Sequence, residues 1–132
     1  MKEYRRICPL YHISPTNLDG VVMKPAVPSS AMFDEDSRHV RVCFSTSVMG
    51  CIRAFDPYVY KYDMEYYVMT PVNYNKLKVF VPSEKEVPDV KTTREKWVRN
   101  KVKVKCIGKI RINIKSMIGS YDEYKYRWVE KY

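Results

Sequence analysis

From Val102 to Ile114 apolar residues recur at even positions. Val102, Val104, Cys106, Ile110, Ile112 and Ile114 take even positions, Gly108 fills the remaining even slot, and Lys101, Lys103, Lys105, Lys109, Arg111 and Lys115 take odd ones. Period two in β-branched residues demands an extended backbone with one face buried and the other solvated. A helix would scatter these lysines around its circumference. The stretch reads as one half-buried strand, or as a strand pair bent at Gly108, because glycine in a strand marks a bend or a bulge.

The other segments fit a sheet protein. Arg6–Ser14 reads as a first strand, interrupted by Pro9 and stopped by Pro15. Residues 16–38 hold Pro25, Pro28, Ser29-Ser30 and Asp34-Glu35-Asp36, and predict a long loop with one helical turn. Val40–Phe44 is the next strand. Ser47 then suits a helix N-cap, and Val48, Cys51, Ile52 and Phe55 fall at i, i+3, i+4 and i+7 on one face of a short helix ended by Asp56-Pro57. Glu65–Val72 and Leu77–Val81 predict two strands joined by a turn at Asn73–Asn75. A polar connector from Pro82 to Pro88 leads to a short strand at Arg94–Val98, and the tail, Ser116–Tyr132, adds an edge strand. No internal repeat is present. The expected class is α+β, with mostly antiparallel strands in two packed sheets and one or two short helices.

At 132 residues the chain is most economically a single domain spanning 1–132, with a core of ordinary size. No apolar run approaches the ~20 residues of a membrane span. Met1-Lys2-Glu3-Tyr4-Arg5-Arg6 is not followed by the apolar region of a signal peptide. The expectation is a cytoplasmic protein that does not enter membranes. Cys8, Cys43, Cys51 and Cys106 form no Cys-x-x-Cys pair and the only histidines are His12 and His39, so no zinc pattern is present and the thiols read as small buried hydrophobes. The formal charge of +9 favours an anionic partner: nucleic acid, a dinucleotide or an acidic protein surface. Exposed lysine also serves solubility and blunts sheet edges.

Chemistry is suggested by three short stretches. Val42-Cys43-Phe44-Ser45-Thr46-Ser47 ends a buried-looking strand in three hydroxyl residues and turns into the helix; Leu10-Tyr11-His12-Ile13-Ser14 lies upstream and Arg94-Glu95-Lys96-Trp97-Val98 downstream. In this order they resemble the ADP-ribosyltransferase fold family, the small NAD-consuming domains related to bacterial toxins and poly-ADP-ribose polymerases. One branch of that family carries a His on the first strand, a hydroxyl or Tyr on a middle strand and a Glu near a late strand. The resemblance covers roughly residues 8–115. It implies NAD as substrate, with Glu95 stabilising the oxocarbenium-like ribose and His12 hydrogen-bonding the adenosine-side ribose. It further implies that Tyr11 stacks on a flat ring, that Ser45 supports the cleft and positions Glu95, and that Thr46, Ser47 and the helix start meet polar oxygens. Arg41, with Arg5 and Arg6, is the candidate for the pyrophosphate. A stand-alone bacterial or phage effector that modifies a protein or nucleic-acid acceptor would follow. Members that modify protein side chains often carry Glu or Gln two residues before the late Glu; Thr93 stands there in this chain.

Each residue also has a plainer role. His12 suits a strand-end histidine bonded to backbone, Ser45-Thr46-Ser47 suits a helix cap, and Glu95 sits between Arg94 and Lys96 as if in a surface ion pair that would lower its pKa. Glu84, Glu86 and Asp89 are rival acids. A competing function is a non-catalytic basic module that binds nucleic acid or, as an inhibitor, an acidic partner protein. Its evidence is the lysine face of Lys101–Lys115 with the aromatics Tyr121, Tyr124, Tyr126, Trp128 and Tyr132 interleaved with charge.

Overall fold

A computed structural model describes residues 2–4, 9–27, 36–54, 65–118 and 121–132, without the side chains of 75, 114–118 and 121–124. The strands are β1 (Lys2–Tyr4), β2 (His12–Ser14), β3 (Val22–Met23), β4 (Val42–Ser45), β5 (Glu65–Pro71), β6 (Val79–Val81), β7 (Glu95–Val98), β8 (Val102–Ile118) and β9 (Tyr121–Lys131). Two short helices, α1 (Val48–Ala54) and α2 (Val90–Thr93), accompany them, with a 3-10 turn at Tyr74–Lys76. All the strand pairings are antiparallel. One sheet runs β1-β6-β7-β4; the other runs β2-β5-β8-β3, with β9 also paired to β8. The architecture is mixed, with two mostly antiparallel sheets and short helices.

Most expected elements appear with trimmed ends. The predicted first strand shrinks to His12–Ser14, because Pro9 and Pro15 bound it; Arg6–Cys8 lie outside the described residues. The long loop contains β3, whose Val22 and Met23 pair with Lys103 and Val102. Helix α1 buries Val48, Cys51 and Ile52, the three described members of the expected apolar face. Phe55 and the stop at Asp56-Pro57 lie outside the described residues. The tail is a long strand: β9 zips onto β8 from Ile118↔Tyr121 to Gly108↔Lys131.

The core has two layers, and β8 enters both. Leu10, Val42, Phe44, Met69, Val79, Val98, Val102 and Val104 form the layer between the sheets. Ile13, Val48, Cys51, Ile52, Tyr66, Val68, Ile110 and Ile112 form a second layer, where α1 covers the five-stranded sheet with Tyr126 and Trp128 packed alongside. Consecutive residues Val68 and Met69 belong to different layers, so the layers lie on opposite faces of β5.

The switch on β8 is a bulge. Met69 pairs with Cys106 and Val68 with Gly108, which leaves Ile107 unopposed. One extra residue reverses which face the even positions occupy. Val102 and Val104 therefore point between the sheets, whereas Ile110 and Ile112 point to α1. The odd-position cations divide in the same way and do not share one face. Gly108 permits this with φ +154°, and a Cβ there would strike the Glu130 carbonyl oxygen and come within 2.9 Å of the Trp128 ring.

Candidate functional site

The strands that carry the three motifs lie side by side. Tyr11 and Ser45 exchange both backbone hydrogen bonds, Tyr11 N–H to Ser45 O at 2.8 Å and Ser45 N–H to Tyr11 O at 2.9 Å. On its other edge Ser45 stands opposite Glu95 in the β4–β7 ladder. Directly opposed residues share a face, so Tyr11, Ser45 and Glu95 form one transverse row. Stretches far apart in the chain thus converge at one end of three adjacent strands.

Ser45 is 2% exposed, and its hydroxyl donates to the Thr93 carbonyl at 2.7 Å. Thr93 closes α2, Arg94 follows with φ 53° in the left-handed region, and Glu95 opens β7. Together with the Arg94 N–H to Val90 O bond at 2.8 Å, this hydrogen bond holds the turn that delivers Glu95. Helix α1 seals it from above: a Cβ on Gly50 would collide with both Ser45 Oγ and Thr93 O. Gly50 is required here for close approach, in the middle of a helix where glycine is otherwise unfavourable.

Glu95 is 8% exposed. Burial is the leading influence on its carboxyl and raises the pKa; the nearby Cys43 thiol, Trp97 indole and Arg41 charge pull the other way, and Asp89 adds to the rise. Its Oε2 and the Trp97 Nε1 are both buried, and neither closes a hydrogen bond of good geometry. The expected depression by Arg94 and Lys96 does not arise. Arg94 is exposed at the helix end, and the Lys96 ammonium lies 5.2 Å from the Tyr4 ring and donates to the backbone carbonyls of Arg94 and Glu95, each at 3.4 Å. Neighbours in sequence on a strand point to opposite sides.

His12 occupies the other face. It stands next to Tyr11, and its ring meets Phe44 edge-on at 6.1 Å, within the layer between the sheets. Nδ1 lies 3.1 Å from the Cys43 carbonyl, which can only accept, so Nδ1 carries the proton. Burial lowers the His12 pKa, outweighing that hydrogen bond, and keeps the ring neutral. The structure therefore brings Ser45, Glu95 and Tyr11 together and turns His12 away from them.

Ser47 caps α1, its Oγ accepting the Gly50 N–H at 2.9 Å, while Thr46 is half-buried just before it. Arg41 lies below the surface. Its Nη1 donates to the Asp36 backbone carbonyl at 2.8 Å, to the Asp36 carboxylate at 3.2 Å and to the His39 carbonyl at 2.9 Å. Its guanidinium stacks 4.3 Å over the Trp97 ring. Arg5 and Arg6 lie outside the described residues. Of the rival acids, Glu84 pairs with Lys91 at the surface, Glu86 is bound to Ser83, and Asp89 stands near Glu95.

The sequence does not single out Trp97, Cys43 and Arg41 together, although it holds a signal for them. With Val42 and Phe44 on the buried side of β4, Arg41, Cys43 and Ser45 must share the other, and Trp97 opposes Cys43 in register. Only the β4–β7 pairing makes that cluster visible. Among the described residues no group of His, Cys, Asp and Glu could hold a metal ion, and no helix is long and apolar enough to cross a membrane. No family model matches the chain, and no curated protein or solved structure matches it either.

Proposed function

We propose that this chain is an NAD-consuming enzyme of the ADP-ribosyltransferase type, with Glu95 as its acid residue. The observation that carries the reading is the row Tyr11–Ser45–Glu95, in which three separate motifs meet across neighbouring strands. The Ser45–Thr93 hydrogen bond gives Ser45 a positioning role, since it holds the turn into Glu95. The buried, unpartnered Oε2 of Glu95 is a suitable acceptor for a ribose hydroxyl. Tyr11, packed beside the α1 layer, supplies the aromatic on the Glu95 side, whereas His12, bonded to the Cys43 carbonyl on the other face, has no direct part.

In the reaction the bond between C1′ of the ribose and the nicotinamide nitrogen breaks. The bonding pair leaves with nicotinamide and neutralises its pyridinium charge. Positive charge then develops on the ribose ring, where an ionised Glu95 stabilises it more than in the ground state. A nucleophile of a protein or nucleic-acid acceptor bonds to C1′ and loses a proton.

The test is nicotinamide release from NAD by the purified chain, with a cell lysate as acceptor and Glu95→Gln alongside. The expected loss in the variant is about 10²–10³-fold, the usual cost of removing one group that stabilises transition-state charge. No release by the parent protein, or equal release by the variant, overturns the proposal. A thermal melt supplies the structural control and a pH dependence. Because burial raises the folded-state pKa of Glu95, its proton-bound form favours folding. That contribution is complete below the unfolded pKa and is lost as pH rises through the folded value. Glu95→Gln should therefore melt higher than the parent at pH 7, with the gap closing toward pH 4.

A further inference from the structure

The lysines of the first half of β8 are not explained by edge protection. Over Val102–Lys105 this strand is flanked on both sides, by β3 through Val22↔Lys103 and by β5 through Thr70↔Lys105. It offers no free edge for lysine to blunt. Lys101, Lys103 and Lys105 are nevertheless all exposed on one face, and none forms an ion pair with a described carboxylate. Beside them stand Val22, 49% exposed, and Val72, 50% exposed. Val72 donates its N–H to Lys103 O at 2.9 Å, so the two valines flank Lys103 across three strands.

The second half of β8 shows what a self-neutralised surface looks like in the same molecule. Lys109 lies 3.8 Å from Glu65 and 3.7 Å from Glu130, and Arg111 lies 3.6 Å from Glu65. Beside Lys105 the Asp19 carboxylate accepts the Cys106 N–H at 2.8 Å instead, and among the described residues it forms no ion pair with Lys101, Lys103 or Lys105. Of the tail aromatics, Tyr126 and Trp128 are packed on the inner layer. The lysine face itself offers charge and shallow apolar contact. Outward residues of a strand repeat every ~6.7 Å, which matches every second phosphate along a nucleic-acid strand rising ~3.4 Å per nucleotide.

We propose that the face formed by Lys101, Lys103, Lys105, Val22 and Val72 docks the phosphate backbone of a nucleic acid, independently of base sequence. The lysines meet every second phosphate, and the valines cover the sugar edge. This surface stands apart from the Glu95 row and does not depend on the NAD reading. If both hold, it makes nucleic acid the acceptor class.

The experiment is fluorescence anisotropy of a labelled 30-nucleotide single strand, titrated with the full chain between 50 and 200 mM salt. Binding should weaken steeply with salt. Lys103→Ala/Lys105→Ala should flatten the slope of log K against log salt by about 1.4, at ~0.7 for each phosphate of a single strand that is no longer neutralised. Lys109→Ala, on the opposite face, should leave the slope unchanged. Thermal melts of both variants check that the fold is kept. Absence of binding, a slope indifferent to Lys103 and Lys105, or an equal flattening in Lys109→Ala overturns the proposal. So does equally tight binding of poly-glutamate, which would point to an acidic protein partner.

Discussion

The two halves of β8 carry the same pattern and do different work. Before Gly108, Val102 and Val104 close the layer between the sheets, and the lysines beside them face outward with exposed valines. After it, Ile110 and Ile112 pack under α1, and Lys109 and Arg111 emerge on the opposite face among carboxylates. One unopposed residue, Ile107, separates these environments. Identical alternation therefore does not mean a common face, and a strand can serve two cores when a bulge reverses its parity.

The most damaging change should fall on the bulge itself. Gly108→Val would place a β-branched side chain at φ +154°, against the Glu130 carbonyl and the Trp128 ring. Backbone strain and overpacking together should cost about 3–5 kcal/mol. Urea denaturation checks this, and a destabilisation below about 1 kcal/mol would mean that the bulge relocates at little cost.

Smaller but more discriminating is a comparison of the two layers. Ile110→Ala should cost about 2–5 kcal/mol and Val104→Ala somewhat less, since fewer buried methyl groups are removed. If the layers are separate, the double variant should sum the single effects to within about 0.5 kcal/mol. Coupling beyond that, in the same denaturation experiment, would show that the halves of β8 share one cooperative core. The smallest effect concerns the outward cations. Lys109→Ala, which removes the cation facing Glu65 and Glu130, should cost about 0.2–1 kcal/mol at low salt, and Lys105→Ala should stay within about 0.5 kcal/mol. Repeating the melts in 1 M salt should erase the difference between them.

The Glu95 row offers a second contrast, between what is local and what is not. Ser47 as a cap and the apolar stripe of α1 depend on residues within a few positions of one another, and both are legible from spacing. The environment of Glu95 is not. Its chain neighbours Arg94 and Lys96 suggest an ionised surface acid, yet α2 and the β4–β7 ladder bury it beside Trp97 and Cys43 and raise its pKa. Likewise His12 and Tyr11 are consecutive, and only strand pleating decides that Tyr11 joins Ser45 while His12 meets Phe44.

By itself, the sequence determined where the longer strands run, though not β1 or β3, where the main helix starts and that the fold is mixed with antiparallel sheets. Those features follow from side-chain periodicity and turn chemistry, which act over a few residues. Tertiary structure alone decided which strands are neighbours, that the valine-flanked half and the isoleucine half of β8 face opposite ways, and that an acid between two cations lies buried. Each of these depends on hydrogen-bond register between segments far apart in the chain. A shift of one residue in that register moves a side chain from one face of a sheet to the other.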